Sequence, residues 1–293
     1  MKKLKKIYKE LISQRWEIGF VTNNIKGIVA NEPLKVNWIK NLKGHWFADP
    51  FILEVTDTTI IVLVEDMSSK TLKGVISKLT ISRKTMTIIK REVILNLPTH
   101  LSFPAILRKN DKIYVYPENA YGETLNIYEL NETQNKLIFK KTLIDEVIWD
   151  SVITDYFGEC LLFTARQDDY HLDIYKLNVT NEKFEYWKSV SSDHRNMRMA
   201  GQLFKIGDNI YCPSQNCDRN YGNAIEIKEV TFKNETFSFK TIRTLKSTHP
   251  TLKEGMHTIN EHKGVIVVDV LGYNYPIIAN LIIMVRKILK KLI

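Results

Sequence analysis

Asp49 stands in HWFADPFILEV, residues 45–55, where a carboxylate interrupts aromatic and strand-forming side chains. An Asp-Pro pair suits a turn, whereas a carboxylate held at the mouth of a pocket suits proton abstraction. Two more acids have similar surroundings: Glu118, after the proline that ends the alternating strand of YVYPEN, and Asp150, beside Trp149 in IWDSV. Each reads either as a second acid or hydroxyl-binding group, or as a satisfied structural carboxylate. Arg166, Arg198 and Arg219 add guanidinium forks of the shape that holds phosphate oxygens, and His257 suits either a leaving phosphate or a turn cap. These groups act together only if the fold gathers distant segments.

A repeat predicts that it does. HWFADPFILEV with IIVLVED, HLSFPAIL with KIYVYPEN, IWDSVITDY with CLLFTAR, MRMAGQLFK with NIYCPSQN, and GMHTINEH with GVIVVDV share one pattern. A polar or small cluster precedes a short apolar strand, a turn, and an alternating strand that ends on a polar residue. The period of about 50 residues falls in the range of propeller blades. Third strands follow in GVISKLTI, LNIYEL, LDIYKL and AIEIKEV, separated by Gly, Asn, Asp and Lys turns. The expected fold is all-β, a five-bladed β-propeller over residues 21–275, with an irregular β-sandwich as the alternative.

Innermost propeller strands line the axial channel, so equivalent positions converge at one end of it. Asp49, the Ser102–Pro104 turn, Asp150, Arg198–Gln202 and His257–Asn260 share one such position, and Glu65, Glu118, Arg166, Gln215 and Asp269 end the next strand. With Trp46, Trp149 and Tyr221, this funnel suits a sugar: aromatic faces stack on C–H surfaces while acids and amides read hydroxyls.

FADPF with VED, LSFP with YPE, WDSV, RMAGQ, PSQNCDRNYG and MHTIN resemble the motifs of the propeller domain at the N-terminus of glucosamine inositolphosphorylceramide transferases, over residues 40–275. Related modules occur in bacterial surface-polysaccharide gene clusters, and the fold is similar to that of family 43 glycoside hydrolases. The resemblance implies a sugar-binding role for Asp218 in the PSQNCDRNYG motif. Asp49 matches the hydrolases' general base, and Glu118 and Asp150 are the nearest counterparts of their other two carboxylates. In the plant-type enzymes a separate transferase domain follows the propeller, and this sequence ends before one could fit.

The chain has 293 residues, 44% of them hydrophobic, and a formal charge of +9, which favours anionic partners. Residues 1–20 read as a basic amphipathic helix and 276–293 as a basic apolar one. Neither carries the roughly 18 to 20 apolar residues of a bilayer span, and both suit either an anionic headgroup layer or packing on the domain. No secretory leader is evident. Three cysteines without metal-ligand spacing fit a reducing cytosol. QDDYHLD, with Asp168, Asp169, His171 and Asp173, reads as a solvated turn entering a strand rather than a metal site. Walker, Rossmann and nucleophile-elbow patterns are missing, as are nucleic-acid-binding motifs.

The sequence therefore predicts a metal-independent glycosyltransferase, peripheral on the cytoplasmic face of the plasma membrane, building a capsule or O-antigen type of glycan. Its donor would be a nucleotide-sugar, with no further cofactor, and its acceptor a lipid-linked glycan. Asp49 is the expected base; Trp46, Glu65, Trp149, Arg166, Arg198, Gln202, Gln215, Asp218, Tyr221 and His257 are the expected substrate contacts. A family 43-like glycosidase and a non-catalytic glycan-binding propeller are the alternatives.

Overall fold

A computed structural model describes residues 13–282 except 72, 120, 167, 276 and 280. The chain opens with β1 (Gln14–Val21), a short helix α1 (Ile25–Val29) and β2 (Val36–Trp38). Four antiparallel sheets follow in chain order. Blade I comprises β3 (His45–Val55), β4 (Thr59–Ser68), β5 (Gly74–Ser82) and β6 (Thr87–Leu95); blade II comprises β7 (Ser102–Lys109), β8 (Lys112–Glu118), β9 (Leu125–Asn131) and β10 (Lys136–Ile144). Blade III holds β11 (Trp149–Thr154), β12 (Leu161–Ala165), β13 (His171–Asn178) and β14 (Lys183–Ser191). Blade IV has a split inner strand, β15 (Arg198–Met199) and β16 (Phe204–Ile206), then β17 (Asn209–Asn216), β18 (Ala224–Lys233) and β19 (Thr236–Leu245). The hairpin β20 (Ile259–His262) and β21 (Val265–Tyr273) starts the fifth sheet, which β1 and β2 complete in the order β2-β1-β21-β20.

The expected five-bladed propeller is thus present, and it is closed by strand exchange between its ends. Residues Gln14 to Val21 pair with Tyr273 to Ile266, so residues 14–20, expected to end the N-terminal helix, are instead a propeller strand. The reason lies in QRWEIGF, where Trp16, Ile18 and Phe20 recur at a period of two and all three are buried. Gly19 between them leaves room for Trp38, whose ring would sit 2.5 Å from a Cβ there. The remaining predicted helical residues at both ends lie mostly outside the described residues; 277–279 and 281–282 are helical. Among the described residues, no helix is long and apolar enough to cross a membrane.

One irregularity recurs on the inner strands. The ladder shifts register between Ala48 and Phe51 in β3, Ser102 and Ala105 in β7, and Trp149 and Val152 in β11. A residue with positive φ sits in each bulge: Asp49 at 50°, Phe103 at 43° and Asp150 at 45°. In blade IV the inner strand breaks at the corresponding point, with Gly201 at φ 146°. A bulge re-aims its residue and frees its N–H from the ladder, and for Phe103 this backbone conformation is costly enough to need a compensating contact.

Candidate active site

The bulges supply that contact by bonding to the preceding blade. Phe103 N–H donates to Asp49 Oδ2 at 3.0 Å, Asp49 N–H to Asp269 Oδ2 at 3.1 Å, and Asp150 N–H to Glu118 Oε2 at 2.9 Å. Each acid is therefore fixed by backbone from a neighbouring blade. Asp49, Glu118 and Asp150 border a cavity of about 380 Å³ lined by residues from all five blades.

Asp49 is 4% exposed. Its Oδ1 accepts the Thr258 hydroxyl at 2.8 Å and lies 3.6 Å from His257 Nε2. Burial raises its pKa, opposed by the His257 charge and by these hydrogen bonds. His257 is stacked on Trp16, with ring centroids 3.9 Å apart, and its Nδ1 lies 2.6 Å from Asp269 Oδ2. Burial alone would depress the imidazole pKa, but Asp269 and Asp49 raise it to about 9. An imidazolium is thereby held between two carboxylates, one fully buried and one facing the cavity.

Across the cavity the protonation preferences differ. Burial, reinforced by the Asp150 charge, drives the Glu118 carboxyl well above the usual carboxylate range. Asp150 is pushed up to about 6 by burial, with Arg198 resisting. Its Oδ2 accepts Gln215 Nε2 at 2.8 Å and Arg198 Nη1 at 3.2 Å. Arg198 also donates from Nε to Asp169 Oδ1 at 2.9 Å and sits over the Tyr221 ring. Carboxyl groups with such different environments around one space can take opposite proton-transfer roles. Trp46 and Trp149 provide aromatic wall, and His100 holds Glu65 through Nε2 at 3.0 Å while its Nδ1 accepts Gly74 N–H.

Of the predicted site residues, Trp46, Asp49, Glu65, Glu118, Trp149, Asp150, Arg198, Tyr221 and His257 all border this cavity. Four do not. Gln215 is fully buried behind Asp150, where its amide orients that carboxylate. Gln202 ties blades together, its N–H on Asn260 Oδ1 and its Nε2 on the Ile106 carbonyl. Asp218 is off the cavity, accepting Arg195 N–H at 2.8 Å.

Arg166 is displaced for a reason of register. Ala48 pairs with Glu65, Ser102 with Glu118 and Arg198 with Gln215, but Trp149 pairs with Ala165. Ala165 thus holds the position that carries the acid or amide elsewhere, and its successor falls on the other side of the pleat. There Arg166 Nε meets Asp173 Oδ2 at 2.7 Å.

The remaining acids of QDDYHLD also separate: Asp168 takes His171 Nδ1, while Asp169 clamps Arg195 and Arg198. A different trio, Asp49, His257 and Asp269, offers one ligand atom each within 4.8 Å. Asp269 already accepts four hydrogen bonds, from His257 N–H, Thr258 N–H, Asp49 N–H and the His257 ring, so the trio fits a proton-bearing network better than a cation.

Trp16, His100 and Tyr121 line the cavity unanticipated, and Ser102 was anticipated only as a turn residue. The alternation around Trp16 was a usable signal. His100 adjoins the LSFP motif, but nothing in its spacing indicated a partnership with Glu65.

Comparison with known proteins agrees with this architecture. RS223-β-xylosidase aligns with TM-score 0.55 at 12% identity, over 78% of this chain and 92% of that one. A GH43_1 enzyme from Xanthomonas citri aligns with TM-score 0.54 at 10% identity, over 79% and 89%. At these identities the likeness is one of fold. In sequence, glucosamine inositolphosphorylceramide transferase 1 of Oryza sativa subsp. japonica is 25% identical over 203 residues, 64% of this chain and 26% of that protein. The Arabidopsis thaliana protein of the same name is 26% identical over 204 residues, with the same coverage. The chain therefore spans about a quarter of the length of these plant relatives. The family described as glucosamine inositolphosphorylceramide transferase 1, N-terminal, matches residues 29–264, and with a match over most of its length this chain belongs to that family.

Proposed function

We propose that this propeller is a glycosyltransferase in which Asp49 takes the proton from an acceptor hydroxyl bound between the cavity's aromatic walls. The observation that carries the reading is the convergence of Asp49, Glu118 and Asp150, in unlike environments, on one cavity walled by Trp46 and Trp149. Proton transfer to Asp49 accompanies bond formation between the acceptor oxygen and the anomeric carbon. The bond to the donor phosphate breaks with its electron pair leaving on the phosphate oxygen. Burial raises the Asp49 pKa, and His257, Thr258 and Phe103 N–H work against it, towards the ionised form that a base requires. The finer reading adds a nucleotide-sugar donor, a lipid-linked acceptor, and a bacterial capsule or O-antigen type of product made without a metal at the cytoplasmic membrane surface. The terminal segments would provide contact with anionic lipid, which co-sedimentation with phosphatidylglycerol vesicles tests.

A second reading, cleavage of a glycosidic bond, is favoured by two specific features. Burial and the Asp150 charge raise the Glu118 carboxyl well above the usual carboxylate range, towards the protonated form that a poor leaving group such as a sugar alkoxide needs. Arg198, the guanidinium at the cavity, is already shared by Asp150 and Asp169, which weakens the case for a dedicated diphosphate clamp.

One experiment separates them. Wild type and Asp49→Asn are incubated with UDP-, GDP-, CDP- and dTDP-sugars, with and without lipid-linked acceptor and with and without EDTA. Acceptor-dependent, EDTA-resistant nucleotide release that disappears in Asp49→Asn supports transfer. Free sugar liberated from glycan without donor supports cleavage instead, and glycan binding with neither reaction rejects catalysis.

A further inference from the structure

A second cavity, about 500 Å³, lies on blade III, and Trp149 borders both it and the acid-lined one. Its floor contains an unusual group. Asp173 is 7% exposed and its Oδ2 pairs with Arg166, but its Oδ1 has no hydrogen-bond partner among the described residues. A buried carboxylate oxygen without a donor is costly and marks a place where an incoming hydroxyl would be stabilised. Beside it the Arg166 side chain is half exposed and adds donors, and Glu146, which accepts the Tyr175 hydroxyl at 3.3 Å, lines the same recess. The rim is aromatic: Tyr186, 53% exposed, stands edge-on to Tyr175 at 5.7 Å. Acceptor, donors and apolar faces in one recess are what a pyranose ring with adjacent hydroxyls requires.

We propose that this recess is a second saccharide subsite, so that the protein binds a glycan of at least two units lying across Trp149, one unit in each cavity. The proposal rests on the reading of the acid-lined cavity as a glycan site and adds the chain length of the ligand. It gives Arg166 a role in glycan binding that differs from phosphate binding in the funnel. The nature of the ring is left to the recess: hydroxyl donors meet Asp173 Oδ1, and hydroxyl oxygens meet Arg166.

The test uses the full chain on a carbohydrate array that carries each linkage as mono-, di-, tetra- and octasaccharide, followed by titration calorimetry on the best octasaccharide and its monosaccharide. Wild type should prefer the longer ligand by at least about tenfold. Arg166→Ala and Tyr186→Ala should bring that ratio close to one, while Tyr186→Phe, which keeps the ring, retains it. Melting temperatures equal to wild type for the two Tyr186 variants exclude unfolding as the cause. A length preference that survives in Arg166→Ala and Tyr186→Ala overturns the second subsite and leaves the acid-lined cavity intact as a glycan site. Binding lost in Tyr186→Ala but unaffected by Trp46→Ala would instead confine the ligand to blade III, overturning both the two-cavity ligand and the reading of the other cavity. Absence of binding to any saccharide overturns both as well.

Discussion

The imidazole of His257 should be a measurable contributor to stability, and its pH dependence tests the electrostatics of the site. It is 2% exposed, between Asp269 and Asp49, and its pKa is raised from 6.5 to about 9. The native state therefore holds this proton more tightly than the unfolded chain does. The resulting stabilisation is fully present below 6.5 and is lost as pH climbs through about 9. A difference of roughly 2.5 units, at about 1.36 kcal/mol each, corresponds to about 3 kcal/mol. Urea denaturation of wild type and His257→Gln at about pH 6 and about pH 10 isolates the effect. Cys212 and Cys217, whose thiols burial pushes to about 12 and about 11, also erode stability at the alkaline end, but do so in both proteins. The wild-type advantage should shrink by about 3 kcal/mol across that interval, and the imidazole NMR signal should titrate near the upper end of it. A constant advantage, with His257 titrating at the value of an exposed histidine, would refute the placement of its charge between Asp269 and Asp49.

Other perturbations probe neighbouring parts of the same network. Arg198→Met should cost about 3 to 5 kcal/mol in chemical denaturation, because Asp150 and Asp169 lose the guanidinium that both share. Gly201→Ala should lower the melting temperature sharply, since the new Cβ would lie 2.0 Å from the Ile259 carbonyl oxygen at a backbone φ of 146°. Asp49→Asn should reduce turnover by about 10² to 10⁴-fold in whichever assay reports activity. Asp49→Ala should unfold more easily than Asp49→Asn by about 1 to 3 kcal/mol, because Phe103 N–H and the Thr258 hydroxyl would lose their acceptor.

Much of this architecture was legible because propeller blades repeat and their strands alternate. The five paired segments matched the five inner hairpins, and the bulge position that collects Asp49, Phe103 and Asp150 was visible as the polar or small cluster before each apolar run. What escaped was register within a single blade. ARQ offers a polar residue at the end of its strand, as VED and YPE do, yet Trp149 pairs with Ala165 and places Arg166 on the neighbouring surface. Periodicity in one strand cannot reveal a one-residue offset relative to its partner, because that offset is set by the bulge across the ladder. Trp16 escaped for a different reason. The lysine-rich segment before it has helical spacing, and β1 becomes a strand only when β21, at the other end of the chain, supplies its partner.

The same hydrogen bonds that tie neighbouring blades together also set the surroundings of the acids. Asp269 accepts Asp49 N–H, Asp49 accepts Phe103 N–H, Glu118 accepts Asp150 N–H, and Asp150 accepts Arg198, linking all five blades through cavity-facing or adjacent groups. Such bonds would ordinarily stay in the ladder; bulging releases them, and a neighbouring carboxylate offsets the strain of positive φ. The acids consequently differ in what surrounds them. Asp49 gains an imidazolium, a hydroxyl and a backbone donor against the Asp269 anion, whereas Glu118 gains one backbone donor and the Arg198 charge against the Asp150 anion. Under the proposed function, proton acceptor and proton donor would differ through which blade lends what. It follows that a fold-preserving change in one blade should alter the acidity of a group carried by the next.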